Sequence, residues 1–167
     1  MDVGVAMVPY YRSKERQEEL LKILKGWVGT PHRHLVAVKG LGADCALFVW
    51  EVQREGGITN MKNVPNVPRQ HGHINYPPDR ALHSREEVIL TAMRSMSFLR
   101  ELPKHQTPMN GDICAYQFGR STAHIGIYYD GEVYHSLTGS EVLPTSFDDS
   151  AMKKRLTAIF RVMEEVE

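Results

Sequence analysis

The hydrophobic period of this chain changes once, at Gly111. Before that point apolar residues recur every three or four positions, the spacing of a helix packed on one side. After it they alternate, the spacing of a strand. Helices first and sheet second predicts an α+β domain with N-terminal helices packed on a central antiparallel β-sheet, not alternating βαβ units. The 167 residues fit one domain over 1–167 that buries its own core. Lys+Arg and Asp+Glu are both 20, so the formal charge is zero, which argues against nucleic acid as the main partner. No apolar run nears the roughly 20 residues of a membrane helix. The opening MDVGVAMVPYYRSKER has neither the basic start nor the apolar core of a secretory signal, so synthesis in the cytoplasm is expected.

Leu20, Ile23, Leu24, Trp27 and Val28 keep helical spacing between a Ser13 cap and the breaker Gly29-Thr30-Pro31. PHRHLVAVKGLGAD then reads as a loop. A second helix is predicted over 45–54, capped by Asp44 and stopped by Gly56-Gly57; it is apolar on nearly every face, so it should be the buried central helix. Residues 58–80 are proline-rich and polar, as in an irregular connection. Ser84-Arg85-Glu86-Glu87 is a capping-box pattern. It predicts a helix of about four turns that turns Val88, Ile89, Ala92, Met93, Met96 and Leu99 to the core. Ile113, Ala115 and Gln117 then alternate with Asp112, Cys114 and Tyr116. HIGIYY, Asp130-Gly131 and EVYHSL read as strand, tight turn and strand, with further strands at Val142-Leu143 and 157–162.

Cys45 falls in the first turn of the central helix. Backbone N–H groups and the helix dipole there favour a thiolate, so a lowered pKa is expected. A buried structural cysteine is the alternative. Pairing Tyr129 with Glu132 across the turn sets Gly126 against His135 and His124 against Leu137. His124 and His135 then share a face, diagonally placed, with Gly126 adding no bulk between them. Two such histidines suit a base and the group that orients it. The alternative is a pair of half-exposed strand histidines. His32-Arg33-His34 and His71-Gly72-His73 have a spacing seen in metal sites, but both fall in loops with no Cys-x-x-Cys or His-Glu-x-x-His beside them, so no metal is expected. Cys114 reads as a packing thiol, and Met152-Lys153-Lys154-Arg155 as a solvated basic patch.

The blocks GWVGTPHRH, KGLGADCALFVWEV, GDICAYQF and AHIGIYYDGEVYHS, within residues 26–136, together resemble the NlpC/P60 family of papain-like cell-wall cysteine peptidases. The wording is most similar to the phage tail-associated branch. That resemblance implies a papain-like fold, with Cys45 as nucleophile, His124 as general base and His135 as the orienting third member. It implies hydrolysis of an amide in the peptidoglycan stem peptide, at the γ-D-glutamyl linkage, with phage tail proteins as partners and no cofactor. It assigns His32 and Asp44 to the oxyanion and substrate region. His32 stands where the family usually has a tyrosine whose hydroxyl aids the oxyanion site; imidazole also offers a hydrogen-bond donor. Asp44 is kept from the family's acid, with helix capping as its simpler role, while Ala46 and Leu47 replace the usual Ser-Gly. Two rivals stand beside this reading: acyl transfer or amidase chemistry on another acyl substrate, and a non-catalytic tail assembly module.

Overall fold

The computed structural model describes residues 4–58 and 85–167. Strand β1 (Ala6–Pro9) precedes helix α1 (Lys14–Trp27). A two-stranded hairpin follows, β2 (Ala37–Val38) and β3 (Gly42–Ala43), and leads directly into α2 (Cys45–Glu55). After α3 (Val88–Arg94) come β4 (Leu99–Leu102), β5 (Ile113–Phe118), β6 (Ser121–Tyr129), β7 (Glu132–Ser136), β8 (Val142–Ser146), α4 (Ser150–Arg155) and β9 (Leu156–Val166). The main sheet is antiparallel, in the order β1-β9-β5-β6-β7-β8, with β4 also paired to β9.

Helices α1 and α2 form where polar groups close their first turns. Ser13 accepts from the Arg16 N–H at α1, and Asp44 caps α2 through Ala46 and Leu47. α2 ends at Gly56, one residue before Gly57 with φ of 93°. Leu20, Leu24 and Trp27 of α1 join Phe48 and Val49 of α2 against Ile113, Ala115, Ile125, Ile127 and Phe160 of the sheet. The opposite sheet face buries Cys114, Tyr116, Val133 and Ile159 beneath Leu102, Met152 and Leu156. β5 is thus covered on both faces, so its alternation separates two cores rather than core from solvent. At its head, Asp112 holds Arg161 of β9 in a two-pronged ion pair of 3.0 and 2.8 Å.

Several expectations change. Sheet does not only follow helices: β1 comes first and pairs with the far end of β9. The loop after α1 contains the β2–β3 hairpin, and His32 bridges to Ala43 beside it. The helix expected from Ser84 is shorter. It runs Val88–Arg94, Glu87 makes no side-chain cap, and Leu99 belongs to β4. Met93 and Met96 are nonetheless buried. Val28 ends its helix exposed instead of extending the buried stripe. Lys153, Lys154 and Arg155 close the last turn of α4, a helix that Met152 anchors by burial and the basic patch concealed. Ser84, His71, His73 and nearly all of 58–80 lie outside the described residues.

Candidate active site

The site is assembled from the start of α2, the β2–β3 hairpin and the β6–β7–β8 edge of the sheet. Asp44 Oδ1 accepts from the N–H groups of Ala46 and Leu47 at 2.9 and 3.1 Å. Its Oδ2 accepts from Leu35 N–H at 3.2 Å and lies 3.6 Å from His34 Nδ1. The carboxylate therefore holds the helix start and the preceding loop together, and places Cys45 as the first residue of α2.

Cys45 Sγ donates to the Ala123 carbonyl at 3.6 Å. The reason lies in β6. The β5–β6 register runs Tyr116 to His124 and then Gln117 to Thr122, so Ala123 is an extra, unpaired residue. Such a bulge kinks the strand and re-aims the side chains beside it. The sulfur also meets the Ile125 backbone N–H. It thus lies against the backbone on both sides of His124. In this arrangement the thiol proton rests on Ala123 and not on the histidine.

His124 and His135 are joined, Nε2 to Nδ1, at 2.7 Å. The β6–β7 ladder is regular only to Ile127–Tyr134, one step short of Gly126 opposite His135. The rings still meet because Gly126 leaves the space: a Cβ there would lie 2.5 Å from Val133 Cγ1 and 3.0 Å from His135 Cβ. The expected pairing of His124 with Leu137 is not formed. β7 ends at Ser136, and the Leu137 N–H turns to the Glu141 carbonyl. His135 Nε2 continues to Thr145 Oγ1 at 2.8 Å. Phe118 stands edge-on to the His124 ring at 5.2 Å, with the Arg155 guanidinium 4.7 Å above Phe118.

Burial governs the charges here. Cys45 is pushed up to about 12, by desolvation first and the Asp44 carboxylate second; neighbouring backbone N–H groups offset this only in part. The lowered pKa expected from the helix terminus is not found, because the side chain is only 7% exposed. Burial, then the charges of His135 and His32, brings His124 down to about 3. Burial alone brings His135 down to about 4. The resting site at neutral pH is a neutral thiol beside two neutral imidazoles.

His32 belongs to the same group by position. Its Nδ1 is 2.9 Å from Ser136 Oγ. Ser136 gives its own proton to the Ala43 carbonyl, so it accepts from His32. The proton of neutral His32 is therefore on Nδ1, and Nε2 presents a lone pair. This corrects the expectation of a donor: the neutral ring cannot donate through Nε2. Its pKa is lowered, chiefly by burial, which keeps it neutral.

Cys45, His124, His135, His32 and Asp44 are thus gathered in one region. Ala123, Ser136 and Thr145 were missed. The hairpin carried no signal for Thr145, which becomes a diagonal neighbour of His135 on the same face only through the β7–β8 register that sets His135 opposite Leu143. Cys114 is fully buried in the opposite core, with its pKa raised. Among the described residues, no group of three His, Cys, Asp or Glu side chains is placed to hold a metal, and no helix is long and apolar enough to cross a membrane.

No family model matches this chain. No curated protein matches it either. Among solved structures, it is similar to a crystal structure described as similar to lipoprotein, NLP/P60 family, from Staphylococcus aureus subsp. aureus Mu50. The TM-score is 0.60 at 15% identity, over 98% of this chain and 45% of that one. At that identity the likeness is one of fold: the chain has the fold of an NLP/P60 family protein, and spans less than half the length of the protein it matches.

Proposed function

We propose that this chain is a papain-like cysteine peptidase of the NlpC/P60 type, hydrolysing an amide in the peptidoglycan stem peptide. The observation that carries this reading is the 2.7 Å His124–His135 pair beside a helix-capped Cys45 whose sulfur lies against the backbone flanking His124. A nucleophile, a base and an orienting group in that order is the arrangement covalent acyl transfer needs. The fold shared with an NLP/P60 protein supports the cell-wall substrate.

In the reaction, Cys45 Sγ attacks the scissile carbonyl carbon while its proton passes to His124 Nδ1. The Cys45 backbone N–H faces the developing oxyanion. Collapse breaks the C–N bond, and His124 returns the proton to the leaving amine. Water then attacks the thioester with His124 again as base, releasing the acid and restoring the thiol. Asp44 has its two oxygens engaged by the helix start and the loop, so it acts through the position of Cys45.

The γ-D-glutamyl linkage and the phage tail-associated branch belong to the same proposal and rest on the GTPHRH and KGLGADC wording. On this reading residues 1–167 work as one peptidase domain, made in the cytoplasm and carried to the wall with tail proteins. The test is digestion of defined peptidoglycan fragments with mass spectrometry of the products. One new amine and one new acid from a single stem-peptide bond, at D-glutamate, is the expected result. Intact fragments from folded protein would turn the assignment toward another acyl substrate or a tail assembly role.

A further inference from the structure

The hydrogen-bond chain does not end at His135. Thr145 Oγ1 lies 2.8 Å from His135 Nε2, on the same face of the β7–β8 pair. His135 is only 1% exposed, so both its ring nitrogens depend on these protein partners.

Proton counting gives Thr145 a role. A neutral imidazole carries one N–H and one lone pair. For His124 Nδ1 to take the thiol proton, its own proton must sit on Nε2 and be donated to His135 Nδ1. His135 then carries its proton on Nε2, and Thr145 Oγ1 must accept it. The opposite arrangement is sterically identical. There Thr145 donates to His135 Nε2, His135 Nδ1–H donates to His124 Nε2, and His124 Nδ1 is already protonated. In that state His124 cannot act as a base. The hydroxyl at the far end therefore separates a competent relay from an incompetent one.

We propose that Thr145 is a positioning residue: as terminal acceptor it holds His135, and through it His124, in the tautomers that leave His124 Nδ1 open to Cys45. This rests on the assignment of Cys45 and His124 as nucleophile and base, and is independent of which acyl substrate they act on. Thr145 itself touches neither sulfur nor substrate.

The test uses the whole folded chain and needs no cell-wall substrate. The rate of Cys45 alkylation by iodoacetamide is measured at pH 7.5, beside nitrogen-15 NMR of the His124 ring. Thr145→Val keeps the shape and removes the acceptor. It should slow alkylation about tenfold, the size of one lost hydrogen bond, and shift His124 from the Nε2–H form toward a mixture. Thr145→Ser should keep the wild-type rate and tautomer. If Thr145→Val does not fold, Thr145→Ala replaces it with the same expectation. Wild-type rate and tautomer in the variant lacking the hydroxyl would overturn the proposal, as would a serine variant no better than valine. A His124→Ala chain serves as control: if it alkylates as fast as wild type, the pairing of Cys45 with His124 fails instead. Loss of the stem-peptide reading alone would show as uncleaved peptidoglycan with the alkylation pattern intact.

Discussion

Burial, more than the helix terminus, sets the charge of the proposed nucleophile and base. Cys45 is held near 12 and His124 near 3, so on the proposed mechanism attack starts from a neutral pair and the proton moves during the step. His124 need only be unprotonated, and its folded value lies far below the ordinary imidazole value. The acid limb of kcat/KM is therefore expected below pH 5 instead of near 6.5. A limb at the ordinary value would show a base exposed to water. His32 yields a second expectation. Its Nε2 lone pair faces away from the donor role that a phenol would play. His32→Tyr should raise kcat at pH 7.5 by about tenfold, the scale of one oxyanion donor at its lower end. The gain should shrink on acidification through and below the ordinary imidazole range, as His32 protonates in the wild type. A lower kcat in the tyrosine variant at every pH would show that the lone pair itself is used.

The hairpin was readable in the sequence because its chemistry is local. Asp130 and Gly131 both take positive φ, 47° and 85°, which only a tight primed turn demands. That turn fixes Tyr129 opposite Glu132, and alternation does the rest. The bulge at Ala123 was not readable. It arises where β6 must pair with β5 and meet the start of α2, and no turn residue marks it. The same limit applies to Thr145, whose role depends on a strand reached through a loop. Gly126 is the residue on which the hairpin reading and the site converge. Gly126→Ala should cost about 1–3 kcal/mol in urea unfolding, the scale of overpacking, and should lower kcat by separating the two rings. Wild-type stability and activity together would show that the strands have room to part.

Across the molecule, the change of period at Gly111 located most of the sheet, and the capped, apolar α2 located the buried helix. The outer strands were missed because β1 and β4 are four residues each and take their shape from β9, far away in sequence. Global stability carries the mark of the buried histidine pair. The folded pKa values of His124 and His135, about 3 and 4, lie below the unfolded value near 6.5. Between those limits the unfolded chain binds more protons, so stability rises with pH through that window and is lost on acidification. The urea midpoint should fall between pH 7 and pH 5, a range above most carboxylate titrations. An unchanged midpoint would mean that the pair is solvated.

The identity of the nucleophile is the central claim, and an acid-quenched digest tests it most directly. Protein mixed with peptidoglycan fragments is stopped during turnover, and the peptide carrying Cys45 is weighed. The expected result is a mass gain equal to one acyl fragment on Cys45, with both adduct and cleavage absent from Cys45→Ala. Cleavage at the wild-type rate by the Cys45→Ala chain would contradict it.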